Sequence, residues 1–242
     1  MDLASYLTPT RSTTTWPRPR ATAHVAQALA PWEDPAAASG TLRADPDLPS
    51  VFTAASVGGE LAFAALLLDG VLDLERPGVA VHSNEPSTRL LRALACVVDP
   101  GLDAVVGRSA AAWVHTGRHA PATVNLFYTI NRTRPTVHLP ADVTRTIFLP
   151  GEIQAFGPVR VTSPLRTVMD LATWRPEQAR RHIPTFTDAP ALIRAALAHI
   201  EGTPNFRHKK VAIPVLEALL TAGDPVHVEH ALDSAHGVED SG

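Results

Sequence analysis

The chain has 242 residues, 45% of them hydrophobic and 19% charged, with a net charge of −3. A hydrophobic share near the globular norm of roughly 45–50% argues against wholesale disorder, and no window approaches the roughly 18 unbroken apolar residues that a membrane span requires. One or two globular domains with no membrane partner are expected. Met1 to Tyr6 has neither a basic stretch nor an apolar run, and a single cysteine, Cys96, cannot form an internal disulfide, so a reducing cytoplasm is the expected compartment.

Only Lys209 and Lys210 among the 21 basic residues are lysine; the other 19 are arginine, in a chain with 38 alanines. Coding bias of a GC-rich genome accounts for such a composition. The other reading is that a planar guanidinium suits phosphate and guanine contacts better than an ammonium does. The net charge announces no global basic field, so the distribution of charge has to decide. Residues 1–50 carry four basic and five acidic groups, 51–117 four and seven, 118–210 thirteen and six, and 211–242 none and six. A phosphate-facing surface is therefore expected within 118–210, with the acidic C-terminal segment as an internal competitor for it.

In chain order, residues 1–48 are rich in proline, threonine and alanine and read as a flexible arm with at most one short helix near Val25 to Leu29. Order resumes near Pro49. Glu60 to Asp69 is a run of strong helix formers, and Gly70 stands where a glycine would stop the helix. Val71 to Leu74 and Val79 to Val81 are β-prone runs around the turn Glu75-Arg76-Pro77-Gly78, a hairpin signal. Helix followed by hairpin is the ending of a winged helix-turn-helix, so residues 49–84 are expected to form such a module. A second helix is expected from a Ser87 cap to Val98, because Leu90, Leu91, Leu94, Ala95 and Val98 recur at helical spacing.

Val105-Val106 should turn from a short strand into the alanine-rich helix of Arg108-Ser109-Ala110-Ala111-Ala112-Trp113, broken at Gly117. Residues 122–161 then change period into short β-prone runs punctuated by Pro, Gly and Asn, which predicts a small antiparallel sheet. Ser163-Pro164 places a cap before a proline at the first helical position and opens a helix through Ala172. Pro190 to Ile200 and Ile213 to Leu220 are expected to be further helices, joined by the basic link Phe206-Arg207-His208-Lys209-Lys210. The fold class expected is α/β or α+β: a winged-helix-like module, then a mixed α/β domain over 85–200, then a C-terminal helix and acidic tail over 201–242.

Three stretches carry a resemblance: "LLLDGVLDLERPGVAV" at 66–81, "VVGRSAAAWVHTG" at 105–117 and "VTSPLRTVMDLA" at 161–172. From about residue 50 to 175 the chain resembles the AbiEi family of antitoxins from type IV toxin–antitoxin systems and their actinobacterial relatives, which are regarded as transcriptional regulators. In the first stretch Gly70, Arg76 and Gly78 fall where the family frames its wing. In the last, Thr162, Ser163, Arg166, Thr167, Asp170 and Leu171 fit the family's Thr-Ser-Pro-x-Arg-Thr-x-x-Asp-Leu run. The resemblance implies an N-terminal winged helix that binds the promoter of its own operon and an α/β domain that carries antitoxin activity. It implies no cofactor and no enzymatic site, and a nucleotidyltransferase-like toxin as a protein partner.

The residues qualify this picture. Arg166 and Asp170 are four apart on one helix, so their side chains meet, as a pin for the helix start or as an arginine presented to a partner; a surface pair of this kind contributes roughly 0.3–0.5 kcal/mol. Ser109 reads as a helix cap rather than a nucleophile, since no Gly-x-Ser-x-Gly elbow surrounds it. A helix that reads DNA exposes Arg, Lys, Asn or Gln, yet Glu60 to Asp69 contains none of these. DNA contact is therefore expected from Arg76 in the wing, from Arg108, Arg132, Arg134 and Arg145, and from arm arginines such as Arg43. The alternative is a protein-interaction module that has lost DNA binding. His227, Glu229, His230 and His236 have metal-like spacing but no second ligand pair, and they read as a solvated end rather than a metal site. No Walker loop, zinc-protease helix, Cys/His knuckle or dinucleotide fingerprint occurs.

Overall fold

A computed structural model describes residues 49–98, 103–129, 134, 140–204 and 206–222. These residues form two sheets and seven α-helices, a mixed α/β architecture. The expected arm, Arg43, Arg132 and the histidine cluster at 227–236 lie outside the described residues.

The first sheet contains β1 (Val51–Phe52), β2 (Leu72–Arg76) and β3 (Val79–His82), all antiparallel in the order β1-β3-β2. Between β1 and β2 run a short 3₁₀ turn (Ala54–Val57) and α1 (Glu60–Leu68). Gly58 and Gly59, at φ 95° and 113°, let the chain reverse from that turn into α1, and Gly70 at φ 68° releases it as expected. Phe63 of α1 packs on Leu72 and Ala80 of the sheet. The opposite side of α1 is left in solvent, with Leu61 and Leu68 about 90% exposed (90% and 88%).

The β2–β3 turn is Pro77-Gly78, with Gly78 at φ 80°. Leu74 pairs with Ala80 but Arg76 pairs with Val79, so Glu75 is an extra residue in β2. A one-residue bulge switches the faces of the residues that follow it. Without it Arg76 would lie on the α1 side with Leu72; with it Arg76 shares the face of Val79, toward α2 (Arg89–Cys96). That helix starts one residue later than expected: Thr88, not Ser87, is the cap and accepts from Leu91 N at 3.1 Å, while Ser87 Oγ donates to Glu75. Val79 packs into one core with Ala93, Ala95 and Cys96 of α2, so the first sheet and the larger domain share interior.

The second sheet is a correction to the small antiparallel sheet. It has five strands, β4 (Val105–Val106), β5 (Val124–Thr129), β6 (Ala141–Thr146), β7 (Ile153–Phe156) and β8 (Val159–Thr162), in the order β6-β5-β4-β8-β7. β4 runs antiparallel to β5 but parallel to β8, and β5 runs parallel to β6; only β7–β8 is a hairpin. The centre is the two-residue β4, buried on both sides, and it leads straight into α3 (Arg108–Thr116). Helix α4 (Pro164–Trp174) starts at Ser163 as expected, with Ser163 Oγ accepting from Arg166 N and Pro164 at the first position.

Three further helices follow: α5 (Pro176–His182), which the sequence pattern does not announce, α6 (Ala189–Gly202) and α7 (Lys209–Ala222). Lys209 and Lys210 belong to α7 rather than to a link before it. Val168, Leu171 and Ala172 of α4 pack with Ala179, Ile193, Ala196, Ile200, Ala212 and Leu216 into a helical core. Alanine at so many of these sites lets the helices approach closely.

Gly107 shows how tight the strand-to-helix step is. A Cβ there would overlap the ring of Phe127 on β5, which is itself buried. Gly107→Ala is expected to destabilise the protein by about 1–3 kcal/mol through overpacking, read as a lower urea midpoint, with Phe127→Leu in the same chain recovering part of the loss.

Candidate functional site

Arg76, expected to meet phosphate from the wing, is 1% exposed. Its Nε donates to Ala95 O at 2.7 Å and its Nη1 to Pro77 O at 3.2 Å. Ala95 lies in the last turn of α2, where carbonyls lack intrahelical partners and the helix dipole is negative. Arg76 is therefore a C-terminal cap, placed there by the bulge at Glu75, and not a DNA contact. Burial lowers its pKa, and burial pushes the adjacent Cys96 thiol up to about 12, which leaves it unreactive.

Arg92, which the sequence reading did not single out, repeats the device. Its Nε and Nη2 both donate to Val114 O at 3.1 Å in the last turn of α3, and its Nη1 donates to Ser87 O at 2.8 Å. Burial lowers the Arg92 pKa as well. An arginine on a helix reads as a solvated charge unless its partner carbonyl, 22 residues away in the chain, is known.

Arg108 is also tied down. Its guanidinium lies between the rings of Phe127 and Trp174, at 5.1 and 4.7 Å from their centres, and Nη1 donates to Asp142 Oδ2 at 3.0 Å. Burial lowers its pKa, with Asp142 and then Asp170 acting against that. Its φ of 50° is a left-handed value that costs a non-glycine residue roughly 1–2 kcal/mol, and the stacking and the ion pair hold it there. Ser109 is not a cap, because Gly107 occupies the cap position; Ser109 Oγ instead donates to Asn125 Oδ1 at 2.6 Å and pins α3 to β5. Of the remaining candidates Arg134 and Arg145 are exposed.

The Arg166–Asp170 pair is not a surface pair. Arg166 Nε donates to Asp170 Oδ1 at 2.9 Å, Nη1 to Glu152 Oε2 at 2.7 Å and Nη2 to Thr146 Oγ1 at 3.3 Å, and the guanidinium lies 5.2 Å from the centre of the Phe148 ring. The side chains of Arg166, Glu152 and Asp170 are only 16%, 13% and 12% exposed. Glu152 Oε2 also accepts from Leu149 N at 2.7 Å, so the carboxylate closes its own loop before it meets Arg166. No spacing rule links residue 152 to 166, and the sequence offers no signal for it.

Burial alone would lower the Arg166 pKa, but Asp170 and Glu152 together hold it above its ordinary value. Burial pushes the Asp170 carboxyl up to about 6 even with Arg166 beside it, and Asp170 Oδ2 is buried without a hydrogen-bond partner. Next to this network the Thr162 and Thr167 hydroxyls lie 2.7 Å apart, and His115 Nε2 donates to Thr162 O at 2.7 Å. Burial lowers the His115 pKa, which favours the neutral ring. The second and third resembling stretches thus meet inside the fold through the His115–Thr162 hydrogen bond and the shared core of Ala112 and Val168, with the Asp170 charge acting on Arg108.

Among the described residues no group of three or more His, Cys, Asp or Glu is placed to hold a metal ion, and no helix is long and apolar enough to cross a membrane. No family model and no curated protein matches the chain. It is similar in structure to the Rv2827c protein from Mycobacterium tuberculosis, known from a crystal structure, at 16% identity over 75% of each chain with a TM-score of 0.39.

Two outcomes follow from the Arg166 network. Removing one partner of a buried ion pair strands the other charges, at a cost of roughly 3–5 kcal/mol; because the three groups are slightly exposed, Arg166→Met should cost about 3 kcal/mol in urea denaturation. Arg166→Lys should recover only part, since an ammonium cannot fork to both carboxylates.

The second concerns pH. The folded pKa of Asp170, about 6, lies above the unfolded value of roughly 3.9. The folded state therefore holds the proton more tightly. That contribution to stability is complete below about pH 4 and is lost as pH rises through 6. The stability of Asp170→Asn relative to the unsubstituted chain should therefore improve between pH 4 and pH 7, and a gap that stays constant would contradict this.

Proposed function

We propose that the chain is an AbiEi-like antitoxin and transcriptional regulator that binds DNA and has no enzymatic activity or cofactor. The observation that carries this reading is the order of the first sheet. A strand, a short helical turn, a helix and a two-stranded hairpin that closes on the first strand as β1-β3-β2 is the order expected of the second half of a winged helix, and it supports this reading. The convergence of the resembling stretches supports the family reading too, because matched residues pair with one another, Arg166 with Asp170 and Thr162 with Thr167, rather than lying scattered.

In this reading α1 is a weak reader of bases. Its exposed side consists of Glu60, Leu61, Ala64, Ala65, Leu68 and Asp69, none of which can donate to a base edge while two repel phosphate. Affinity then comes from arginines outside α1, without strong sequence discrimination by that helix. A second reading is favoured by the same surface: the solvent-facing Leu61 and Leu68 suit a protein partner, and the nucleotidyltransferase-like toxin of such systems is the candidate.

A mobility-shift titration with the DNA upstream of the protein's own gene tests the first reading. A shift at low salt that weakens steeply as salt rises is expected. No shift at low salt would overturn it and leave the protein-partner reading, which a pull-down without DNA then addresses.

A further inference from the structure

The buried arginines leave open which cations meet phosphate. Helix α3 ends at Gly117, at φ 72°, and the chain continues through Arg118 to His119, which has φ 58°. A left-handed non-glycine residue persists only where its surroundings hold it. Here the His119 ring sits edge-on to His182, with centres 5.5 Å apart, so the loop after α3 is held against the last turn of α5. That turn carries Arg180 and Arg181.

Arg118, His119, Arg180 and Arg181 are all exposed. Among the described residues none of these three arginines takes part in an ion pair, in contrast to Arg108 and Arg166. Glu177, one turn back on α5, is exposed and makes no ion pair with them. Burial first, then His119 and Arg181, push the His182 imidazole down to about 4.

We propose that this junction, with Arg118 and His119 from the loop and Arg180 and Arg181 from α5, is the surface by which the α/β domain grips the phosphate backbone of duplex DNA. The proposal rests on the DNA-binding reading above and adds a surface to it, beside the exposed Arg134 and Arg145, once Arg76 and Arg108 are removed. The one ring in the patch, His119, is packed edge-on with His182, and Trp174 is engaged by Arg108 and Arg175. That favours duplex backbone over single strands, which are held by bases stacked on aromatic side chains. Contacts of this kind fix position and affinity without reading sequence.

The test is fluorescence anisotropy of the full chain with two labelled duplexes of equal length, one from its own upstream region and one scrambled, across a salt series. Arg118→Ala with Arg181→Ala should lower affinity for both duplexes by on the order of tenfold, and should reduce the slope of log affinity against log salt by roughly two phosphate contacts. The Lys pair at the same positions should restore the slope, and the melting temperature should not change, because the side chains are exposed. Arg194→Ala, an exposed arginine on α6, should leave the slope in place. Binding by the unsubstituted chain that the Ala pair does not weaken, or an equal loss with Arg194→Ala, would overturn this surface alone. Absence of binding to either duplex would overturn it together with the DNA-binding reading.

Discussion

Arg166 is the constraint on which the α/β domain depends. It stands on the first turn of α4, the helix whose buried residues Val168, Met169, Leu171 and Ala172 join the helical core. From there it reaches Thr146 at the end of β6 and Glu152 in the loop before β7, while Asp170 steadies it from its own helix. One planar fork therefore ties an edge strand, a loop and the central helix. β6 needs such a tie, because among the described residues it lies at one end of the sheet and pairs only with β5. Asp170 shows what the arrangement costs: its carboxyl is buried with one oxygen unpaired, and burial outweighs the neighbouring cation in setting its protonation.

The same physics recurs in smaller form. Arg76 closes the carbonyl end of α2, Arg92 closes that of α3, and the Lys209 ammonium donates to Glu201 O near the end of α6. Each puts a cation where a helix leaves carbonyls unpaired and its dipole is negative. A composition with 19 arginines and two lysines thus serves the interior as well as the surface. Arg76 and Arg92 make two or more bonds through different nitrogens, which an ammonium could not do in the same planar geometry.

Local signals in the sequence were legible where local chemistry decides the outcome. Ser163-Pro164 opens α4, Gly70 stops α1 and Pro77-Gly78 makes the hairpin turn, because each acts on its own backbone within a few residues. Thr88 and Ser87 are both competent caps, and the choice fell to Thr88 because Ser87 is engaged by Glu75 across the hairpin. The mixed sheet was not legible: β4 is two residues long, and its parallel pairing with β8 joins positions more than fifty residues apart. Helix α5 escaped notice because Pro176–His182 shows no apolar periodicity, with Ala179 and His182 its only buried residues. At the site, Arg166 and Asp170 were visible as an i,i+4 pair, but neither their burial nor Glu152 could be read from spacing. The bulge at Glu75 was equally silent, and it reversed the meaning of Arg76.

Arg166 unites β6, the loop to Glu152 and the start of α4 into one cooperative unit. Amide hydrogen exchange of Arg166→Met compared with the unsubstituted chain tests this most directly. Protection is expected to fall together over residues 141–152 and the first turns of α4, while α6 and α7 keep theirs. Loss confined to residues adjoining 166, with β6 still fully protected, would contradict it.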